Sequence, residues 1–157
     1  MIIFKSWLVA KKLSNSNNRL IVFVRGNIKT KGVLKIMSVV QSIRQQALDN
    51  KYYRHVLDTG PNTQIVIMSI PLGSDIGEET HPDNDQILFL IEGIGKAVLD
   101  GREYPFESGD AVLVPAGTRH NFFATNHDLK IITVYSPPHH PNGIIHKTKK
   151  EAETQGN

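Results

Sequence analysis

The feature that most constrains this chain is a ladder of short apolar runs between Tyr52 and Ser136. "YYRHVLD", "TQIVIMSI", "QILFLIEG", "GKAVLDG", "REYPFESGD", "AVLVPAG", "RHNFFAT" and "LKIITVYS" follow one another, with Gly or Pro between them at Gly60-Pro61, Gly93, Gly95, Gly109 and Pro115. They recur about every ten residues, and no helical period interrupts them. Such spacing predicts an all-β sandwich or barrel. The chain of 157 residues is the length of one domain and can bury a core without staples. It has no cysteine, which excludes disulfides, cysteine-rich zinc sites and thiol catalysis, and which fits a reducing, cytoplasmic compartment. No apolar run reaches the length of a membrane-spanning helix, so no membrane partner is expected.

Charge is unevenly spread. Met1 to Ile36 holds eight basic residues and no acid. The remainder holds ten basic residues against fifteen acidic ones, so the basic pI belongs to the first segment. That removes the footing for nucleic-acid binding by the body, and the basic segment shows no interleaved aromatic platform. Three readings of residues 1–36 compete. A secretory signal is interrupted by Lys5, and a basic, acid-free transit peptide is the second reading. The third makes Met37 the native start, and it is the reading adopted. On that reading Ser38 caps a short helix whose apolar side is Val39, Val40, Ile43, Ala47 and Leu48. The expected organisation is a basic extension over 1–36 and one domain over 37–157. The barrel would occupy about 52–136, and a Pro-rich, charged tail 137–157.

Chemistry concentrates in two places. "GEETHPDNDQ" crowds Glu78, Glu79, His81, Asp83 and Asp85 just before an apolar strand. Extended backbone alternates its faces, so Glu79 and His81 point one way and Glu78 and Thr80 the other. Asp85, at the entry to the next strand, is close enough to fold back toward the first face. "GDAVLVPAGTRH" runs from a turn at Gly109-Asp110, through a buried strand and a second turn, to His120. The bland reading is a hydrogen-bonded acidic rim, and the sharper one is a metal site at a barrel mouth.

Together these stretches resemble the paired motifs of the cupin superfamily, in its small single-domain form. The second motif places Gly109, Pro115, Gly117 and His120 at the family spacing, with Ala124 where an Asn is usual. In the first motif His81 takes the second His position and Gly93 the closing Gly. Glu79 stands at the first His position, and Asp85, followed by Gln86, where the family has Glu. The resemblance implies a double-stranded β-helix, a jelly-roll barrel with its site inside, and commonly a homodimer. Carried over residue by residue, it implies the ligand set Glu79, His81, Asp85 and His120. Two imidazoles and two carboxylates suit Mn²⁺ or Fe²⁺, with Zn²⁺ and Ni²⁺ also accommodated.

The function so implied is metal-dependent action on, or binding of, a small oxygen-rich molecule such as a sugar or a hydroxy or keto acid. The alternative is a metal-free barrel that binds a small ligand unchanged. A mannose-6-phosphate-isomerase-like activity fits less well, because Ser74 to Ile94 offers no basic residue besides His81 to hold a phosphate. Arg102 and Arg119 are read as surface residues. Phe89, Phe106, Phe122 and Phe123 are read as filling or flanking the core. Gln86 is read as solvated, His139 as a loop residue, and His140 and His146 are left open between a lid and a loop.

Overall fold

The computed structural model describes residues 19–22 and 37–155. The chain forms two compact units, residues 1–41 and 42–157. In the first, β1 (Arg19–Val22) pairs antiparallel with β2 (Met37–Val40), Arg19 opposite Val40. The short helix expected here is present, but it starts later than Ser38. Adjacent β-branched residues at Val39 and Val40 suit a strand, and α1 (Ile43–Asp49) begins only after Ser42, whose φ of 49° breaks the chain direction without a side-chain cap. The rest of the basic extension lies outside the described residues.

The second unit continues with β3 (Arg54–Thr59), β4 (Gln64–Ile70), β5 (Asp85–Glu92), β6 (Ile94–Leu99), β7 (Arg102–Glu107), β8 (Ala111–Val114), β9 (His120–Ala124), β10 (Leu129–Ser136), β11 (Ile145–His146) and α2 (Lys149–Gln155). All pairings are antiparallel. One sheet has the order β11-β3-β4-β10-β5-β8, the other β7-β6-β9. The two-residue β6–β7 hairpin uses Asp100 and Gly101, with φ of 47° and 80°. Positive φ at both positions is what a type I′ hairpin turn requires. At Gly95 a Cβ would run into the Phe123 carbonyl oxygen, so glycine lets β6 lie close on β9.

The core fills the space between the sheets. Val66, Met68, Ile70, Leu88, Leu90 and Ile131 come from the large sheet, and Ala97, Phe106 and Phe122 from the small one. Phe106 and Phe122 meet edge to face with ring centroids 5.1 Å apart. Phe89 departs from its expected core role: it lies on the outward parity of β5 and is 40% exposed. A second cluster packs α1, through Ile43 and Ala47, on Ile67 and Ile132 of the outer face.

The tail is also better ordered than expected. β11 pairs with β3, placing His146 opposite Arg54. In α2, Ala152 enters the core, and Lys149 Nζ reaches Asp75 Oδ1 at 2.7 Å. No helix among the described residues is long and apolar enough to cross a membrane.

Candidate metal centre

The two sequence clusters meet through backbone pairing. Residues 75–79 run antiparallel along β9, bridged at Asp75–Phe123 and Glu79–His120. Glu79 N–H donates to His120 O and His120 N–H to Glu79 O, both at 2.9 Å. A pair that exchanges both bonds stands directly opposite, with side chains on one face. His81, two residues on, shares that face, and its carbonyl accepts from Gly117 N–H at 2.8 Å, which ties it to the Pro115–Gly117 turn. Burial follows the alternation: Glu79 and His81 are buried, Glu78 and Thr80 exposed.

Glu79, His81 and His120 form a group that could hold a metal ion, each offering a ligand atom within 4.8 Å of the others. Glu79 is held from two sides. Buried Arg54 donates from Nη2 to Oε1 at 3.2 Å, and His81 Nε2 lies 3.3 Å from Oε2. Burial pushes the Glu79 carboxyl up, but the nearby His81 and the charge of Arg54 outweigh it and hold the group below the usual glutamate range. His120 Nδ1 lies 2.9 Å from Thr118 O, so Nδ1 carries the proton and donates. That tautomer leaves a lone pair on Nε2, as a ligand needs. Burial lowers the His120 pKa, which favours the neutral ring. His81 Nε2 and His120 Nε2 are both buried without a hydrogen-bond partner. Buried imidazole nitrogens grouped around a carboxylate have the donor chemistry of a cation site.

Asp85 does not join them. It is exposed, and its Oδ1 accepts from Ala116 N–H at 2.9 Å. Strand parity is the reason: β5 buries Gln86, Leu88 and Leu90, so its neighbour Asp85 faces out. Gln86, expected to be solvated, is fully buried in its place. Its Nε2 donates to Thr133 Oγ1 at 3.1 Å and to the Tyr135 hydroxyl at 3.0 Å, leaving Oε1 without a partner.

Sequence reasoning also missed Arg54. The signal was its alternation with Val56 on the buried parity of β3. The tail histidines were underrated too. His139 is half-buried, with its ring 4.3 Å from that of His81, and His140 is buried with its pKa pushed down by burial to about 2. Arg119 is exposed and pairs loosely with Glu78 at 3.8 Å.

A family model described as "Cupin domain" matches residues 66–135. The chain is 38% identical over 123 residues to uncharacterized protein L612 of Acanthamoeba polyphaga mimivirus, covering 74% of this chain and 76% of that one. It is similar to the crystal structure of BH2720 from Bacillus halodurans, with a TM-score of 0.71 and 35% identity, covering 85% of this chain and 99% of that one. A shorter match, 29% identical over 75 residues, covers 48% of this chain and 22% of the quercetin 2,3-dioxygenase of Bacillus subtilis.

Proposed function

This chain belongs to the cupin family, and from that premise we propose that its barrel holds a divalent metal ion on Glu79, His81 and His120 and acts there on a small, chelating, oxygen-rich molecule. Gln86 Oε1 is the fourth protein donor, in place of the Asp85 carboxylate expected from sequence. The observation that carries the reading is the convergence of two buried imidazole nitrogens on one buried carboxylate. Two nitrogens, a carboxylate and an amide oxygen suit Mn²⁺ or Fe²⁺, and also accept Zn²⁺ or Ni²⁺.

When bound, the ion supplies Lewis acidity toward a chelating oxygen. The chain's own residues orient the site. Arg54 fixes the carboxylate, Thr118 O fixes the His120 tautomer, and Thr133 and Tyr135 aim the amide of Gln86. The substrate class is a sugar or a hydroxy or keto acid. The short match to a relative named for its dioxygenase action on quercetin supports chemistry on an oxygen-rich molecule.

One observation favours a second reading, a metal-free binding barrel. Arg54 already balances the charge of Glu79, so the cluster does not need an ion to be electrically tolerable. Elemental analysis of the purified full chain separates the two. About one equivalent of Mn, Fe, Zn or Ni per chain, lost in a His81→Ala/His120→Ala variant, is the expected result. No metal after incubation with each ion in turn overturns the metal reading and leaves the binding barrel.

A further inference from the structure

The segment after β10 does not leave the barrel; it crosses back beside the site. Asn84 Nδ2 donates to Pro137 O at 2.6 Å. Fully buried Gln64 then takes hold of the next turn. Its Oε1 accepts from His139 N–H at 3.3 Å and His140 N–H at 2.9 Å, and its Nε2 donates to His140 O at 2.7 Å. These four bonds fix the backbone of a strap that carries two adjacent histidines.

The rings are ordered relative to the site. His139 stacks on Tyr135, with centroids 5.5 Å apart and planes within 21°. It stands 4.3 Å from His81. His140 lies behind it, 4.7 Å from His139 and 4.9 Å from Tyr135. The Nε2 atoms of both are buried and unpartnered. A buried polar atom without a partner is costly. Of the two, only His139 has its ring against the triad, so its Nε2 is the one that the site can satisfy.

We propose that His139 is a further protein ligand to the ion held by Glu79, His81 and His120, donated by the strap rather than by either sequence motif. This rests on the metal reading of that cluster. His139 stands beside the triad with its ring 4.3 Å from that of His81, and the Gln64 clamp keeps the strap in place. His140 lies on the far side of His139 from the triad and is not a ligand. The arrangement couples metal binding to the tail: the ion ties the strap to the barrel, and the strap raises the affinity for the ion.

The test uses the full chain and metal alone. Co²⁺ is titrated against a competing chelator, and its d–d absorption is recorded, for wild type, His139→Ala, His139→Asn and His140→Ala. Both His139 variants should lose at least about tenfold in affinity and shift the d–d bands, while His140→Ala keeps the wild-type spectrum. Cooperative thermal unfolding in chelator checks that each variant is folded, and His139→Asn serves if His139→Ala is not. Wild-type affinity and spectrum in a folded His139 variant overturn the proposal and leave the triad reading intact. No Co²⁺ binding by wild type overturns both.

Discussion

Arg54 is the residue on which the electrostatics of the barrel turn, and replacing it with Met measures how. The side chain is fully buried and its Nη2 lies 3.2 Å from Glu79 Oε1. Removing one partner of a buried pair costs about 3–5 kcal/mol, because the other charge is left without compensation. Protonation sets a ceiling on that loss. Glu79 escapes its charge by binding a proton, at about 1.36 kcal/mol per unit between an ordinary glutamate pKa near 4.3 and the working pH. At pH 7 the ceiling is about 3.7 kcal/mol, and at pH 5 about 1 kcal/mol. The sign follows from linkage. In the variant the folded pKa of Glu79 rises above its unfolded value, so folding takes up a proton and the deficit grows as pH rises from about 4 to 7.

Urea unfolding in chelator, at pH 5 and pH 7, reads this directly. The Arg54→Met deficit should be about 3–4 kcal/mol at pH 7 and shrink toward 1 at pH 5. Adding Glu79→Gln should recover most of the pH 7 loss, since the double variant removes both charges of this pair. Arg54 also packs over Tyr53, with Cζ 5.5 Å from the ring centroid, and Met only partly replaces that contact. A deficit that is equal at both pH values and unrelieved by Glu79→Gln would make the loss one of packing, and would refute charge compensation as the role of Arg54.

Three further outcomes follow from the same geometry. Asp85→Ala should leave metal affinity unchanged and cost only about 0.5–1.5 kcal/mol in urea unfolding, the worth of its bond to Ala116 N–H. Gly95→Ala should lower stability by the upper end of about 1–3 kcal/mol or more, because the Phe123 carbonyl blocks the new methyl; calorimetry reads the shift. At Asp75 burial raises the pKa, but hydrogen bonds from Lys149, Gly77 and Asn121 bring it below the ordinary value. Its stabilisation is therefore present above about pH 4 and lost as pH falls through the lowered pKa, so Asp75→Asn should flatten the acid limb of the stability curve.

Much of this molecule is legible along its strands, because a strand writes its burial into every second residue. Glu79 and His81 share a face for that reason, and the Pro115–Gly117 turn brings His120 opposite them. The same rule separates Asp85 from Gln86. The expectation chose Asp85 because it sits at the strand entry where the resembling family has Glu, although Leu88 and Leu90 already marked Gln86 as the inward parity. What stayed hidden depends on contacts far apart in sequence. A buried arginine is ordinarily too costly to expect, and the pairing that helps to make Arg54 tolerable reaches Glu79, 25 residues away. "PPHHPNG" has the composition of a loop, and what makes it a strap is Gln64, 76 residues upstream of His140. The short helix is present, but its start was misplaced at Ser38, because Val39 and Val40 are met equally well by a strand with a partner.

Charge at the site also bears on the choice between a sugar and an acid. The ligand set expected from sequence had two carboxylates, which would have neutralised a divalent ion. Among the described residues Glu79 is the acid grouped with the two imidazoles, and Arg54 offsets its charge. Gln86 is neutral, and burial lowers the pKa of His120 and so favours its neutral form. An ion bound there keeps nearly its whole double charge inside a largely buried space. Uncompensated buried charge is costly, so an anion that brings its own negative oxygen is favoured over a neutral polyol. Calorimetric titration of the Mn²⁺-loaded chain should therefore find a 2-hydroxy acid binding more tightly than a neutral hexose. Gln86→Glu adds one negative charge and should weaken the acid while leaving the hexose little changed. Tighter binding of the hexose, or an acid affinity indifferent to Gln86→Glu, would show that shape and not charge selects the ligand.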